Sequence, residues 1–160
     1  MRPTRQSGGA APFRGFTVVE LMLVVTIVGV LTTVGYASYQ NYRERVQVAA
    51  AVTTIGTLGA LIDHYRGERG SLPTVLADVG AGAEWDPWGR PYQYVSHASP
   101  TTRSTWRKDH NIVPINSDYD LWSMGKDGES SAQLTGKTSR DDIVRANNGR
   151  FVGLASQYDP

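Results

Sequence analysis

The chain has 160 residues, with 16 lysines and arginines against 15 aspartates and glutamates, and no cysteine. Three arginines (Arg2, Arg5, Arg14) precede the first apolar run, so the chain beyond them carries 13 basic and 15 acidic residues, a net charge of −2. That balance gives no basic surface for nucleic acid, and the lack of cysteine excludes a disulfide framework or a thiolate metal site.

The first predicted element is a helix of membrane length. From Phe16 to Tyr36, 21 residues include a single ionisable one, Glu20. As a helix they span about 31 Å at about 1.5 Å per residue, one bilayer core. A charge inside such a segment costs about 2.5–3.5 kcal/mol at the helix centre, so Glu20 needs a purpose. An ordinary secretory signal has a shorter apolar region followed by a small-residue cleavage site. Here the Gly15-Phe16 junction precedes the apolar run, and a cut at that point leaves the helix in the mature chain.

Gly15, Phe16, Thr17, Glu20 and Gly29 together resemble the N-terminal signature of type IV pilins and type II secretion pseudopilins. The resemblance implies that a prepilin peptidase cleaves between Gly15 and Phe16, that the new N-terminus of Phe16 is methylated, and that Glu20 is the assembly carboxylate. Residues 1–15 are then a leader, 16–40 a transmembrane and filament-core helix, and 41–160 a periplasmic or extracellular globular domain. The leader's arginines fit a cytoplasmic N-terminus under the positive-inside rule, with the chain held in the inner membrane before assembly. The plainer alternative is a signal-anchor helix with an incidental Gly-Phe pair.

The helical pattern continues past the apolar run. Val48, Val52, Ile55, Leu58, Ile62 and Tyr65 recur at spacings of four, three, three, four and three, an apolar stripe on one helix face. Gly67, Gly70 and Pro73 signal its stop, which predicts one helix from about Phe16 to Arg66. Many pilins and major pseudopilins carry a proline at the position held here by Ala37, so this helix lacks that interruption.

A short helix is expected around Val75–Val79. Pro87 and Gly89 then predict a turn, and Tyr92, Tyr94 and Val95 begin a strand. The string Asp86-Pro87-Trp88-Gly89-Arg90-Pro91-Tyr92-Gln93-Tyr94 resembles the major pseudopilin of type II secretion, with Trp88 and Tyr92 as core aromatics. Residues 96–116 depart from that family, in which the connection is much shorter. Rich in charge and poor in apolar residues, they read as a solvated hairpin tip or surface loop, or as a partner contact.

Tyr119, Leu121 and Trp122–Met124 suggest a second strand, with Asp120 and Asp127 flanking a turn from Gly125 to Gly128. Oxygen ligands without histidine or cysteine suit Ca2+, which takes six to eight of them. The stretch is similar to the calcium loop of major pseudopilins. That similarity implies Asp120 and Asp127 as carboxylate ligands, backbone carbonyls near Ser117 and Ser123 as further oxygens, and Asp142 closing the loop. The other reading makes these aspartates turn formers, since Asp bonds its own backbone. An EF-hand does not fit, because Leu121 stands where its glycine belongs. Gly136-Lys137-Thr138 lacks the earlier glycine of a phosphate loop, and His64, His97 and His110 have no zinc-ligand spacing. Asn147-Asn148-Gly149 reads as a turn and Phe151–Leu154 as a short strand.

These readings converge on an α+β pilin fold: a long N-terminal α-helix, transmembrane and then amphipathic, packed on a small antiparallel β-sheet. The resemblance implies a structural, non-enzymatic subunit of a type II secretion pseudopilus. Its expected partners are further copies of itself in a homopolymeric filament, minor pseudopilins, the prepilin peptidase and the inner-membrane assembly platform. A type IV pilus subunit or minor pilin, and a membrane-anchored binding domain that never polymerises, are the alternatives.

Overall fold

The computed structural model describes residues 15–98 and 100–160; the leader residues Arg2, Arg5 and Arg14 lie outside the described set. The chain divides into two compact units, one ending at Asn41 and the other starting at Tyr42. One helix, α1 (Val18–Arg69), runs through both. It passes Gly67 and ends three residues later than the sequence predicts. The stop is at Gly70, which takes the left-handed conformation (φ 68°) and donates its N–H to the Arg66 carbonyl at 2.8 Å. Arg66 and Arg69 in the last turn suit the negative end of the helix dipole.

In the first unit the apolar side chains from Phe16 to Tyr39 are exposed. The stretch is long and apolar enough to cross a membrane. Four of its hydroxyls are absorbed by the helix backbone itself. Thr26 donates to the Met22 carbonyl, Thr32 to Val28, Thr33 to Val30 and Ser38 to Val34, all within 2.7–3.3 Å. This is how polar side chains become compatible with hydrocarbon, where an unmade hydrogen bond costs several kcal/mol.

In the second unit the predicted stripe meets a sheet. Four strands, β1 (Gln93–Ser96), β2 (Tyr119–Ser123), β3 (Ile143–Ala146) and β4 (Phe151–Leu154), pair antiparallel in that order. The alternation of strand side chains sorts them onto two faces. Tyr94, Tyr119, Leu121, Ile143, Val152 and Leu154 turn toward α1 and pack with Ala51, Ile55, Leu58 and Ile62. Ile55 and Ile62 are wholly buried, and each such side chain contributes about 1.5–3 kcal/mol. Trp88 and Tyr92 join this core, as expected from the sequence.

The opposite face carries Asp120, Trp122, Val144, Ala146 and Phe151. A smaller apolar cluster of Ile115, Leu134, Val144, Ala146 and Ala155 covers part of it. The remainder is covered by residues 104–116 and 130–142. The solvated-loop reading of 96–116 is therefore corrected: Arg107, Asp109, Ile115 and Asn116 are buried, and the His97 side chain is only 4% exposed. The physical reason is that His97, Arg107 and Asn116 reach the buried Asp120 of β2, and Arg107 also reaches Asp142. β3 also lies where the sequence suggested only a loop-closing acidic pair.

Candidate functional sites

Gly15 and Phe16 lead directly into α1, and the Phe16 side chain is 80% exposed. Thr17 and Glu20 close the helix start reciprocally. The Thr17 N–H and hydroxyl both donate to Glu20 Oε2 at 2.9 Å, while the Glu20 N–H donates to Thr17 Oγ1 at 3.2 Å. This is a capping box, in which side chains three residues apart satisfy the first free N–H groups of a helix. A negative charge in the first turn also suits the helix dipole. The one carboxylate of the apolar segment is thus held by its own turn.

The acidic loop is organised differently from the expectation. Asp120 is fully buried in β2, and both its oxygens are occupied. Oδ1 accepts from Asn116 Nδ2 at 2.9 Å; Oδ2 accepts from the Arg107 N–H at 2.7 Å and contacts His97 Nε2 at 3.0 Å. His97 stacks on Trp106 with ring centroids 4.2 Å apart. Asp142, also buried, accepts from Arg107 Nη2 and Ser130 Oγ through Oδ2, each at 2.6 Å. Burial pushes the Asp142 carboxyl above the usual aspartate range, against the pull of the Arg107 charge. The same burial lowers the Arg107 guanidinium below its ordinary value despite Asp142.

The other expected ligands point elsewhere. Ser123 Oγ donates to Asp86 Oδ2 at 2.6 Å, and Ser117 Oγ donates to Asn148 Oδ1 at 3.2 Å. Asp127 is exposed and folds onto its own turn, accepting from the Glu129 N–H at 2.8 Å. Asp120 and Asp142 are committed to Arg107 and its neighbours and Asp127 to its own turn, and the hydroxyls of Ser117 and Ser123 serve other partners. Among the described residues no group of three histidine, cysteine or acidic side chains is placed to hold a metal. This donor set does not fit a calcium ion.

Sequence reasoning alone gives no bonding role to Asp86, Arg90, Asn116, His97 or Arg107. Asp86 joins the two distinctive motifs. Its Oδ1 accepts from the N–H groups of Trp88 and Arg90 at 3.0 and 2.8 Å, and its Oδ2 takes the Ser123 hydroxyl on β2. Asp before Pro-Trp-Gly is the available signal, since an aspartate opening a turn bonds the N–H two residues on. Arg107 gives no signal, because its partners lie 13 to 35 residues away.

Residues 11–36 match the family described as Prokaryotic N-terminal methylation motif. The chain is 42% identical over 146 residues to Type IV major pilin protein PilE1 of Neisseria gonorrhoeae, covering 87% of each. It is 26% identical over 136 residues to a Fimbrial protein of Neisseria meningitidis, covering 84% of this chain and 80% of that one. It is equally similar, 26% over 136 residues, to Type II secretion system core protein G of Pseudomonas aeruginosa, covering 72% of this chain and 84% of the relative. No solved structure matches.

Proposed function

This chain belongs to the type IV pilin-like family, and we propose that within it the protein is a pseudopilus subunit of type II secretion, cleaved between Gly15 and Phe16 and polymerised through its N-terminal helices. Filament assembly and prepilin processing are common to its pilin and secretion-system relatives. The observation that supports the secretion reading is the bond between the Asp86 turn and Ser123 of β2, which locks together the two motifs that resemble the major pseudopilin. Minor pseudopilins and an inner-membrane platform are the partners this reading requires, with residues 41–160 on the periplasmic side.

Glu20 would neutralise the new terminal ammonium of Phe16 on a neighbouring subunit. In an apolar bundle, loss of one partner leaves an uncompensated charge worth about 3–5 kcal/mol, which makes the pair a registration device. In this reading the role is structural, which the burial of the His97–Asp120 pair against Trp106 and Arg107 supports.

Glu20→Ala should be processed by the peptidase yet absent from filaments; normal filaments from that variant would sink the assembly role. Deletion of the gene distinguishes the machines. Lost export of secreted proteins with surface filaments intact supports the pseudopilus. The reverse pattern supports a type IV pilus subunit, a reading favoured by the 42% identity to a major pilin.

A further inference from the structure

The turn that the pseudopilin resemblance gives to calcium is closed in this chain by guanidinium groups. Arg90 lies in the segment before β1 and reaches across to residues 125–128. Its Nη1 donates to the Gly125 carbonyl at 2.7 Å and to Lys126 at 3.4 Å, and its Nη2 also reaches the Lys126 carbonyl at 3.4 Å. Gly128 has a positive φ of 76°, and a Cβ there would fall 2.4 Å from Arg90 Cζ, so the turn is shaped around this arginine. On the other flank Asp141 Oδ2 accepts from the N–H groups of Lys126 and Asp127 at 2.8 and 2.9 Å. A cation therefore holds the turn's carbonyls and an anion holds its amides.

Arg107 does the same for the following segment. Its Nη1 donates to Ser130 Oγ at 2.6 Å and to the Ser131 carbonyl at 2.8 Å, while its Nη2 meets Asp142 at 2.6 Å. The Arg107 side chain is 2% exposed, and its backbone N–H is committed to Asp120.

We propose that Arg90 and Arg107 replace calcium as the staple of residues 120–142, so that the folded domain neither binds nor needs the ion. Calcium requires six to eight oxygens. The Gly125, Lys126 and Ser131 carbonyls and Asp142 Oδ2 already carry guanidinium donors, each guanidinium presenting up to five N–H groups in a fixed fork. Asp120 is taken up by Asn116, His97 and the Arg107 N–H. Asp142 Oδ1 is the buried carboxylate oxygen left without a hydrogen bond among the described residues, far short of a coordination shell. An ion approaching that oxygen would stand beside the buried Arg107 guanidinium on Asp142 Oδ2, a like charge that opposes it.

The test is thermal unfolding of the full processed chain in detergent micelles, followed by tryptophan fluorescence, in calcium, in magnesium and in chelator. The three midpoints should agree within about 1 °C. A rise of several degrees specific to calcium, and lost in Asp127→Asn, would overturn the proposal. Arg90→Gln supplies a second reading that does not depend on the more deeply buried Arg107. Its midpoint should fall by several degrees, equally in calcium and in chelator. An unchanged midpoint in that variant would show that Arg90 is no staple and would also overturn the proposal.

Discussion

The two faces of the sheet are held by opposite kinds of interaction. Toward α1, Tyr119, Leu121 and Ile143 meet Ile55, Leu58 and Ile62, and stability there comes from apolar area removed from water. That term has no direction, so a slightly different shape costs little. The other face seats Asp120 against Arg107, His97 and Asn116, with Asp142 behind. Buried polar groups are expensive unless each is satisfied, so that face holds together as a set or not at all. A charged pair on the helix face follows the same rule. Arg145 lies 3.9 Å from the Tyr119 ring centroid and is forked onto Asp118 at 2.8–2.9 Å.

The contrast is breakable by experiment. Arg107→Met should have the largest effect, about 3–5 kcal/mol in urea denaturation, because it leaves Asp142 buried without its cation. A loss below about 1 kcal/mol would mean that the polar face tolerates change as the apolar one does. Gly128→Ala should cost about 1–3 kcal/mol, from a side chain forced into a positive φ against Arg90. Arg145 is left short of a charged partner in Asp118→Asn, at a cost of about 1–3 kcal/mol near neutral pH.

The acid limb sharpens that last case. Burial pushes the Asp118 carboxyl up, but the hydrogen bonds and charge of Arg145 and the Tyr119 N–H outweigh it and leave it below the ordinary value. Its stabilisation is therefore present above the unfolded aspartate pKa of about 3.9 and lost as pH falls through the lower folded value. The gap between wild type and Asp118→Asn should close on acidification; a gap constant from neutral pH to strong acid would contradict this. Asp142, raised by burial, has the opposite sign, its contribution falling as pH rises through its folded value. Ile62→Val on the helix face should cost only about 0.5–1.5 kcal/mol. Smallest of all, Asp127→Ala should change stability by less than about 0.5 kcal/mol, as an exposed residue bonded within its own turn.

What could be read ahead of the structure divides along the same line. The stripe from Val48 to Tyr65 was visible because burial of a helix face imposes a local period. The Asp86 turn and β2 were visible through proline, glycine and alternating aromatics. Arg107 and His97 were invisible because a charged residue in a polar stretch reads as solvated unless its partner is known. Those partners, Asp120 and Asp142, are set by the fold and not by any spacing along the chain. The aspartates stood out in the sequence, and the cations that satisfy them did not.

The helix start has a consequence for how a subunit leaves the membrane. Thr26, Thr32, Thr33 and Ser38 return their hydroxyls to carbonyls of the same helix. Hydrocarbon tails and neighbouring apolar helices are then nearly equivalent surroundings for this segment, and moving from one to the other requires no exchange of polar partners. If the chain polymerises as proposed, the bilayer would serve as a reservoir from which subunits are drawn. The direction of that traffic would then rest on helix packing and on one carboxylate, Glu20, which bonds to Thr17 within its own turn.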